Sequence, residues 1–409
     1  MRCGIPLGKA RVLHESAAFP KGRACIPPGA RRGLRGSTMR FLSVAAMLAV
    51  GLVGGQAAAQ QVIKIGVVGP LTGAFAAVGQ SQLTGAELRA KEINAAGGKY
   101  RIELVSEDDG SNCDQSVNAT VKLITKDNVV AVLGAMNSPC ALAMVPITKR
   151  YRTPQFTAGV GTSITKQGSD YVFRIAVGAT AQTKELAGFA VEKLGQTKIA
   201  VLYSDDEYGA SMANGFKEAL AARNLQPAAF ESFPRADQDF TGQLSRVKAS
   251  GATGLYTIGA YTASALIAKQ AKQLGLSLQL LGDTGNASPK YIELGGDAVE
   301  GAVLVEPFTP ADPDPTLQAF GKRYREQYGR DADGWVAELY DTVEIIHQAV
   351  QKTGKIDRQA VRDYAANLKA GGNSFSGILG NWSFDQTGEV SFALYKVQVK
   401  GGAKVILAR

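Results

Sequence analysis

The sequence predicts an α/β protein of two lobes, each built on a doubly wound parallel sheet. Short β-branched apolar runs alternate with segments of 3.6-residue periodicity along most of the chain. This alternation is typical of parallel sheets covered by helices on both faces. It occurs in two consecutive series, and the chain is too long for one ordinary core. We therefore expect two α/β domains.

The first series contains four predicted strands and three predicted helices. The strands are residues 62–68, 101–106, 129–134 and 154–157. The helices are residues 85–95, 115–126 and 141–150. Residues 173–178 follow the last strand and are interpreted as a segment that crosses to the second series.

The second series contains five predicted strands, residues 198–203, 228–233, 254–258, 278–281 and 301–305. Its helices are residues 184–194, 212–222, 240–249 and 264–274. A proline-rich stretch, residues 307–315, ends this series and is a second candidate crossing. Three helices (316–328, 335–352 and 358–369) and a final meander (375–385 and 390–399) complete the prediction.

The N-terminal region has the layout of a secretory signal peptide. Residues 39–59 begin with a basic Arg40, continue as an apolar run and end in Ala57-Ala58-Ala59. The run is shorter than the ~18 residues of a membrane span. We expect cleavage near Ala59 and export to the periplasm. Residues 1–38 are interpreted as a misassigned or unstructured leader, with a genuine N-terminal extension as the alternative.

Most of the positive charge belongs to this presequence. Residues 1–59 hold nine of the 45 Lys and Arg side chains and one of the 36 acidic ones, so 36 basic and 35 acidic residues remain. A near-neutral remainder does not favour a nucleic-acid or membrane-surface partner. Cys113 and Cys140 also remain, and an even pair in an exported protein suggests a disulfide. Two separate buried thiols are the alternative.

Signals for catalysis are weak in this sequence. The remainder has one histidine, His347, inside a helical pattern, and it contains none of the common zinc, serine-hydrolase or nucleotide-binding motifs. Asp108 and Asp109 end a strand, where an acidic pair is most often a turn or a cap. We expect no catalytic residues, no metal site and no cofactor.

Candidate ligand contacts follow the predicted strands, because open α/β sheets bind ligands beyond the carboxyl ends of their strands. After the third strand, Ser138 has helix-capping character and Pro139 suits the first helical position. A helix start with a hydroxyl can hold a carboxylate. Ser138 could instead only cap its own helix, and both roles are compatible. The glycine-rich loop after the fourth strand, residues 157–162, would let bare backbone contact a small ligand.

Three side chains are candidates in the second series. Tyr208 and Tyr261 follow strands of the same predicted sheet, and each could place its ring against apolar ligand atoms. Each could also be a structural edge residue. Asp283 follows the fourth strand of this series and could pair with a ligand ammonium, or be an ordinary turn aspartate.

Several longer stretches resemble the branched-chain amino acid-binding proteins, the Leu/Ile/Val-binding-like periplasmic receptors of ABC importers. They are Ile65-Gly-Val-Val-Gly-Pro-Leu-Thr-Gly73, Gly85-Ala-Glu-Leu, Glu92-Ile-Asn-Ala-Ala-Gly-Gly98, Tyr208-Gly209 and the ending Phe375-Ser-Gly-Ile-Leu-Gly380 with Phe384-Asp385 and Gly388. The resemblance implies the type I periplasmic binding protein fold, two lobes joined by three hinge crossings. The lobes would be residues 62–178 with 309–382 and residues 179–308 with 383–409.

The resemblance also implies roles for individual residues. Ser138 corresponds to the serine that holds the ligand carboxylate. Ala158, Gly159 and Val160 correspond to the family loop that contacts both the carboxylate and the ammonium of the ligand. Tyr208 and Tyr261 correspond to the ligand-binding tyrosines of the second lobe.

The sequence departs from the family pattern at several positions. The family often has a threonine near Val160, and here that hydroxyl would come from Thr157 or Thr162. Thr284 stands where the amino-acid receptors carry a glutamate for the ammonium, and Asp283 would substitute from one position earlier. Val78 replaces a frequent aromatic residue and would leave a roomier pocket. Cys140 is displaced by three residues from the usual partner of Cys113, and Asn137 stands in that place.

The resemblance therefore implies a monomeric periplasmic substrate-binding protein that captures a small apolar amino acid and delivers it to an ABC permease. One alternative keeps the fold but binds a small carboxylate or amide without an ammonium, such as an aromatic acid. Another is a ligand sensor subunit.

Overall fold

The computed structural model describes residues 60–369 and 372–409. The predicted leader (1–38) and signal peptide (39–59) lie outside the described residues. Within the described ranges, no helix has both the length and the apolar character that crossing a membrane requires.

The first sheet has five parallel strands in the order β2-β1-β3-β4-β5. They are β1 Gln61–Gly69, β2 Tyr100–Asp108, β3 Ala131–Leu133, β4 Gln155–Thr157 and β5 Val172–Arg174. Ile63 and Ile65 of β1 are fully buried, as is all of β3. Continuous burial of this kind is expected for central parallel strands covered on both faces.

The second sheet has seven strands in the order β14-β13-β10-β9-β8-β6-β7. Its strands are β6 Ile199–Ser204, β7 Ala229–Phe233, β8 Gly254–Ile258, β9 Gln279–Gly282, β10 Val303–Glu306, β13 Tyr395–Lys400 and β14 Ala403–Ala408. A separate two-stranded hairpin consists of β11 Phe375–Gly377 and β12 Gly380–Trp382. Strands β6 to β10 are parallel, whereas β13 and β14 add an antiparallel edge. The sequence predicted residues 390–399 in a meander with residues 375–385, whereas β13 pairs with β10 and β14, and β11 pairs with β12.

Eleven helices cover the two sheets within the described residues. They are α1 Ala76–Ala96, α2 Cys113–Thr125, α3 Ser138–Arg150, α4 Ala179–Glu192, α5 Glu207–Ala221, α6 Thr241–Ala249, α7 Tyr261–Gln273, α8 Pro289–Gly295, α9 Pro315–Tyr328, α10 Gly334–Thr353 and α11 Arg358–Ala366. Capping residues in the sequence determine where several of these helices begin. Asn112 caps α2 by accepting from the Gln115 N–H, and Asp206 caps α5 by accepting from the Gly209 N–H.

The chain passes between the sheets three times: after β5, after β10 and after β12. The second passage carries the predicted proline-rich stretch, which cannot continue a helix or a central strand. This topology confirms the predicted α/β class with two parallel-sheet lobes. We call the part built on the five-stranded sheet the first lobe and the part built on the seven-stranded sheet the second lobe.

Several elements differ from the sequence prediction. Helices α4 and α5 each begin five residues before their predicted starts at 184 and 212, and residues 172–174 form strand β5 where a crossing was predicted. Helix α1 begins at Ala76, nine residues before the predicted start at 85, because Val78 and Ser81 of its first turns are also buried. Helix α8 and strand β14 were not predicted. Gly401 and Gly402 both have positive φ and form the two-residue turn into β14. Paired glycines are a known signal for such a hairpin.

The predicted disulfide is confirmed between Cys113 and Cys140, whose Cα atoms lie 4.4 Å apart. Cys113 is the first residue of α2 and Cys140 lies in the first turn of α3. The bridge therefore ties together two helix starts on the same side of the first sheet. On a chain-entropy estimate, closing a loop of 27 residues stabilises the fold by about 3–4 kcal/mol.

Candidate ligand-binding site

A narrow cavity lies where the carboxyl ends of strands from both lobes face each other. Its volume is about 30 Å³. Its lining comprises Phe75, Met136, Asn137, Ser138, Pro139, Ala158 and Val160 from the first lobe, Asp206, Tyr208, Arg235, Thr284 and Gly285 from the second, and Trp335 at the start of α10. Most of these residues follow β1, β3, β4, β6, β7 or β9, which is where ligands of open α/β sheets bind.

The start of α3 supplies an unsatisfied polar group to this cavity. Asn137 occupies the capping position but makes no capping hydrogen bond. Its side-chain Oδ1 and Nδ2 are both buried without a partner, and the residue is 5% exposed. A buried polar group normally has a partner. Asn137 is therefore free to pair with a bound molecule.

Ser138 lies beside Asn137 at the same helix start. Its Oγ accepts a hydrogen bond of 3.0 Å from the Gly161 N–H, which leaves its own O–H free to donate. The first N–H groups of α3 have no partner within the helix, and the helix dipole favours negative charge there. The arrangement suits a carboxylate.

Buried Arg174 holds the loop that carries Ala158 and Val160. Its guanidinium donates to the carbonyl oxygens of Gly159 and Gly161 and, at 2.7 Å, to Glu389 Oε2. The Gly159 N–H donates to the Thr157 hydroxyl. Arg174 and Thr157 thus fix the backbone of this loop through hydrogen bonds.

The second-lobe wall depends on a buried carboxylate. The Tyr208 hydroxyl donates to Asp283 Oδ1 at 2.6 Å, and the Tyr256 hydroxyl donates to Oδ2 at 2.7 Å. The Gly285 N–H also donates to Oδ1, at 2.8 Å. Burial raises the pKa of Asp283, which these hydrogen bonds oppose, and burial beside Asp283 raises the pKa of both tyrosines well above the ordinary value.

The structure brings six predicted site residues to the cavity: Asn137, Ser138, Ala158, Val160, Tyr208 and Thr284. The other four predicted contacts do not line it. Asp283 is 0% exposed, and its carboxylate is engaged by the tyrosines rather than turned toward the cavity. This geometry thus does not support the predicted role of Asp283 as the partner of a ligand ammonium.

Tyr261, Gly159 and Val78 also lie outside the lining. Tyr261 is the first residue of α7 and packs in the apolar core, at 5% exposure. Both backbone polar groups of Gly159 are satisfied within the protein. Val78 is buried in α1, while aromatic side chains from Phe75 and Trp335 reach the cavity instead. The expected roomier pocket is therefore not found at Val78.

Sequence reasoning missed five side chains of the site: Phe75, Met136, Asp206, Arg235 and Trp335. Arg235 and Asp206 follow β7 and β6, so the strand-end rule could have identified both. Phe75 lies just beyond the turn that follows β1. Trp335 begins a helix after the second passage between lobes, and only the three-dimensional topology brings it to the cavity.

Direct contacts join the two lobes beside the cavity. The Thr162 N–H donates to Ser211 Oγ at 3.0 Å, and the Ser163 N–H donates to Glu207 Oε1 at 3.2 Å. Thr162 and Ser163 belong to the first-lobe loop, and Glu207 and Ser211 to α5 of the second lobe. The structure thus shows the lobes in contact around the cavity.

A family model described as periplasmic binding protein matches residues 62–404. The chain belongs to the periplasmic binding protein family. Family members are substrate-binding proteins that bind small molecules and work with ABC permeases. The family assignment implies location in the periplasm.

Relatives of known name are similar along nearly their whole length. The leucine-, isoleucine-, valine-, threonine- and alanine-binding protein of Pseudomonas aeruginosa is 29% identical over 376 residues, which cover 89% of this chain and 97% of the relative. The leucine-binding protein LivK of Thermotoga maritima superposes with a TM-score of 0.79 at 29% identity, covering 85% of this chain and 98% of LivK. The isoleucine complex of LivJ from Streptococcus pneumoniae gives a TM-score of 0.78 at 27% identity, with the same coverage.

Proposed function

We propose that this periplasmic binding protein captures a small apolar carboxylate between its two lobes and delivers it to an ABC permease. The observation that carries the proposal is the start of α3, where Asn137 has no protein partner and the Ser138 hydroxyl is free to donate. Apolar side chains of Phe75, Met136 and Trp335 surround the remaining space. The ligand carboxylate would sit on the helix start with its body against these side chains.

The first candidate ligand is an amino acid of the leucine, isoleucine or valine type. The relatives described above bind such amino acids according to their names. The unpartnered Oδ1 of Asn137 could accept a hydrogen bond from a ligand ammonium. Asp206 adds a carboxylate to the same cavity.

The second candidate is a carboxylate without an ammonium, such as an aromatic acid. Two observations favour it. Asp283 is withdrawn behind Tyr208, and a neutral Thr284 occupies the neighbouring position in the cavity. The only carboxylate among the lining residues, Asp206, already caps α5 and lies 3.7 Å from Arg235.

We extend the proposal to processing and organisation. Residues 39–59 would direct export and be removed near Ala59. The lobes would comprise residues 62–178 with 309–382 and residues 179–308 with 383–409, and the protein would act as a monomer.

Thermal denaturation of purified protein, stripped of ligand by unfolding and refolding, tests the function. The panel contains leucine and 4-methylpentanoate, which share a carbon skeleton and differ in the ammonium. A ligand at 100 times its Kd should stabilise the fold by about 2.7 kcal/mol. Stronger stabilisation by leucine supports the amino-acid candidate, and stronger stabilisation by 4-methylpentanoate supports the second candidate.

Single substitutions test whether the ligand binds at the start of α3. Ser138→Ala should weaken binding of the stabilising ligand at least about tenfold, because a hydrogen bond to a charged group contributes about 1.5–3 kcal/mol. Ser288→Ala is the matched control: Ser288 is also a buried serine at a helix start, but it caps α8 away from the cavity. Equal effects of the two substitutions, or no stabilisation by any carboxylate, would contradict the proposal.

A further inference from the structure

Arg235 differs from the other arginine that contacts the site. Arg174 is 0% exposed, and all three of its guanidinium nitrogens donate to protein oxygens. Arg235 lines the cavity with 30% of its side chain exposed. Among the described residues, its guanidinium makes no hydrogen bond. A guanidinium has five donors, so Arg235 keeps most of its capacity unused.

The position of Arg235 is nevertheless defined. Its guanidinium carbon lies 4.8 Å from the centre of the Phe75 ring, a cation–π contact that spans from the second lobe to the first. Its Nη1 lies 3.7 Å from Asp206 Oδ2, which is an ion pair but longer than a hydrogen bond. These two contacts orient the planar group without satisfying its N–H donors.

Arg235 and the start of α3 belong to different lobes. Asn137 and Ser138 follow β3 of the first sheet, whereas Arg235 follows β7, the edge strand of the second sheet. Both line one cavity. A ligand whose carboxylate rests on α3 therefore meets a second set of donors across the cleft.

We propose that Arg235 binds an oxygen acceptor on the ligand and that the natural ligand carries this acceptor, a hydroxyl, carbonyl or carboxylate, at the end remote from its α3-bound carboxylate. This inference rests on the proposed function and narrows it to carboxylates whose remote end is polar, which disfavours leucine, isoleucine and valine among the candidates above. Arg235 keeps 30% of its side chain exposed while the lobes are in contact, so its N–H donors stay accessible and an aliphatic side chain would give them no partner in the cavity. An acceptor satisfies them, and arginine geometry suits planar oxygen groups.

Two isosteric pairs of probes test the inference by isothermal titration calorimetry on ligand-stripped protein. Leucine and asparagine have side chains of similar shape, with an amide in place of two methyl groups. The compounds 4-methylbenzoate and 4-hydroxybenzoate differ only in methyl against hydroxyl. Aspartate and benzene-1,4-dicarboxylate add a carboxylate as the remote acceptor. The two sets separate ligands with an ammonium from ligands without one.

We expect the wild type to bind at least one acceptor-bearing probe more tightly than its methyl counterpart, and Arg235→Met to remove that preference at least tenfold. Arg246→Met is the matched control, because Arg246 is exposed and pairs with Glu231 on the second-lobe surface. The substitution to methionine keeps an unbranched apolar stem and removes the guanidinium together with its cation–π contact to Phe75.

Three results would overturn the inference: a wild-type preference for both methyl counterparts, equal weakening of both members of a pair by Arg235→Met, or no effect of that substitution. Equal weakening would show that Arg235 only holds the closed lobes together. If no carboxylate of either pair binds to the wild type, the proposed function itself fails, which is a different outcome from a lost preference.

Discussion

Asp283 shows how sequence can place a residue next to a site without showing what its side chain contacts. Its place after a second-lobe strand was read from the sequence, and the position does adjoin the cavity through Thr284 and Gly285. The carboxylate, however, turns inward to two tyrosine hydroxyls. Sequence cannot reveal this choice, because Tyr256 lies within β8 and carries no site-like pattern of its own.

We expect Asp283→Ala to act on stability and on ligand binding without discriminating between ligands. Two buried hydroxyls would lose their acceptor, at a cost of at least about 2 kcal/mol in the free energy of unfolding. Tyr208 would lose its fixed position, so affinity for leucine and for 4-methylpentanoate should fall by similar factors. Urea denaturation and calorimetry measure the two effects.

Tyr256→Phe is the control for this substitution. It removes a hydroxyl that does not line the cavity and leaves the Tyr208–Asp283 hydrogen bond in place. We expect a smaller loss of stability and little change in affinity. If Asp283→Ala abolished binding of leucine alone, Asp283 would be the ammonium partner after all.

At the scale of elements, most helices and strands could be predicted because their periodicity reflects burial against a sheet. Strands β1 and β8 are examples: residues 65–69 of β1 and all of β8 are buried, and most of their side chains are apolar. Strand β14 was missed although it contains four consecutive apolar residues; it lies at the sheet edge, where alternate residues such as Val405 and Leu407 remain exposed. The start of α3 was predicted from Ser138 and Pro139, since helix capping is a local property.

The hairpin β11–β12 is attached to α10 by one buried carboxylate. Asp341 Oδ1 accepts from the Ile378 N–H at 2.9 Å, and Oδ2 accepts from the Leu379 N–H at 3.0 Å and the Trp382 indole N–H at 2.9 Å. Burial raises the pKa of Asp341 to about 6, although these hydrogen bonds oppose the change. The folded protein therefore binds this proton more tightly than the unfolded chain.

The pKa of Asp341 leads to a pH-dependent prediction. Its protonation stabilises the fold fully below pH 3.8, the unfolded value, and this contribution is lost as the pH rises through about 6. From pH 4 to pH 7, the free energy of unfolding of the wild type should fall relative to Asp341→Asn by up to about 3 kcal/mol, at 1.36 kcal/mol per pH unit. Urea denaturation at intermediate pH values measures the difference.

An exposed aspartate provides the control of opposite sign. A hydrogen bond from Lys272 lowers the pKa of Asp297, so any stability of the wild type relative to Asp297→Asn should be present above pH 3.8 and be lost as the pH falls below it. A wild-type advantage over Asp341→Asn that stays constant or grows toward pH 7 would show that the hydrogen bonds outweigh burial at Asp341.

At the scale of the whole molecule, the lobes meet through few polar contacts. Ser211 Oγ accepts from the Thr162 N–H, lies 3.3 Å from the Thr162 hydroxyl and donates to Glu207. Hinge closure around a ligand is an established mode of domain motion. Contacts made only when the lobes touch should slow ligand release.

We expect Ser211→Ala to increase the ligand dissociation rate about two- to tenfold, as a hydrogen bond of about 0.5–1.5 kcal/mol implies. Stopped-flow measurement of ligand release is the direct assay. Ser245→Ala is the matched control, since Ser245 is exposed and donates only within α6, to Thr241 O. An unchanged dissociation rate in Ser211→Ala would mean that these contacts do not hold the closed state.

The two-lobed arrangement itself was predictable from the alternation of elements, but the set of residues that faces the cavity was only partly so. Arg235 and Trp335 lie far apart in sequence and in different lobes, and their proximity depends on how the lobes are joined. Ser138 and Tyr208 were found because each lies in the first turn of a helix that follows a strand of its sheet.

Tryptophan fluorescence tests the central claim most directly, because the chain has two tryptophans and one of them, Trp335, lines the cavity while Trp382 is buried elsewhere. Ligand-stripped protein is titrated with the carboxylates named above. We expect a saturable change for at least one of them, lost in Trp335→Phe and shifted at least about tenfold in concentration in Ser138→Ala. No saturable change with any carboxylate, or a change that Trp335→Phe retains, would contradict ligand capture in this cavity.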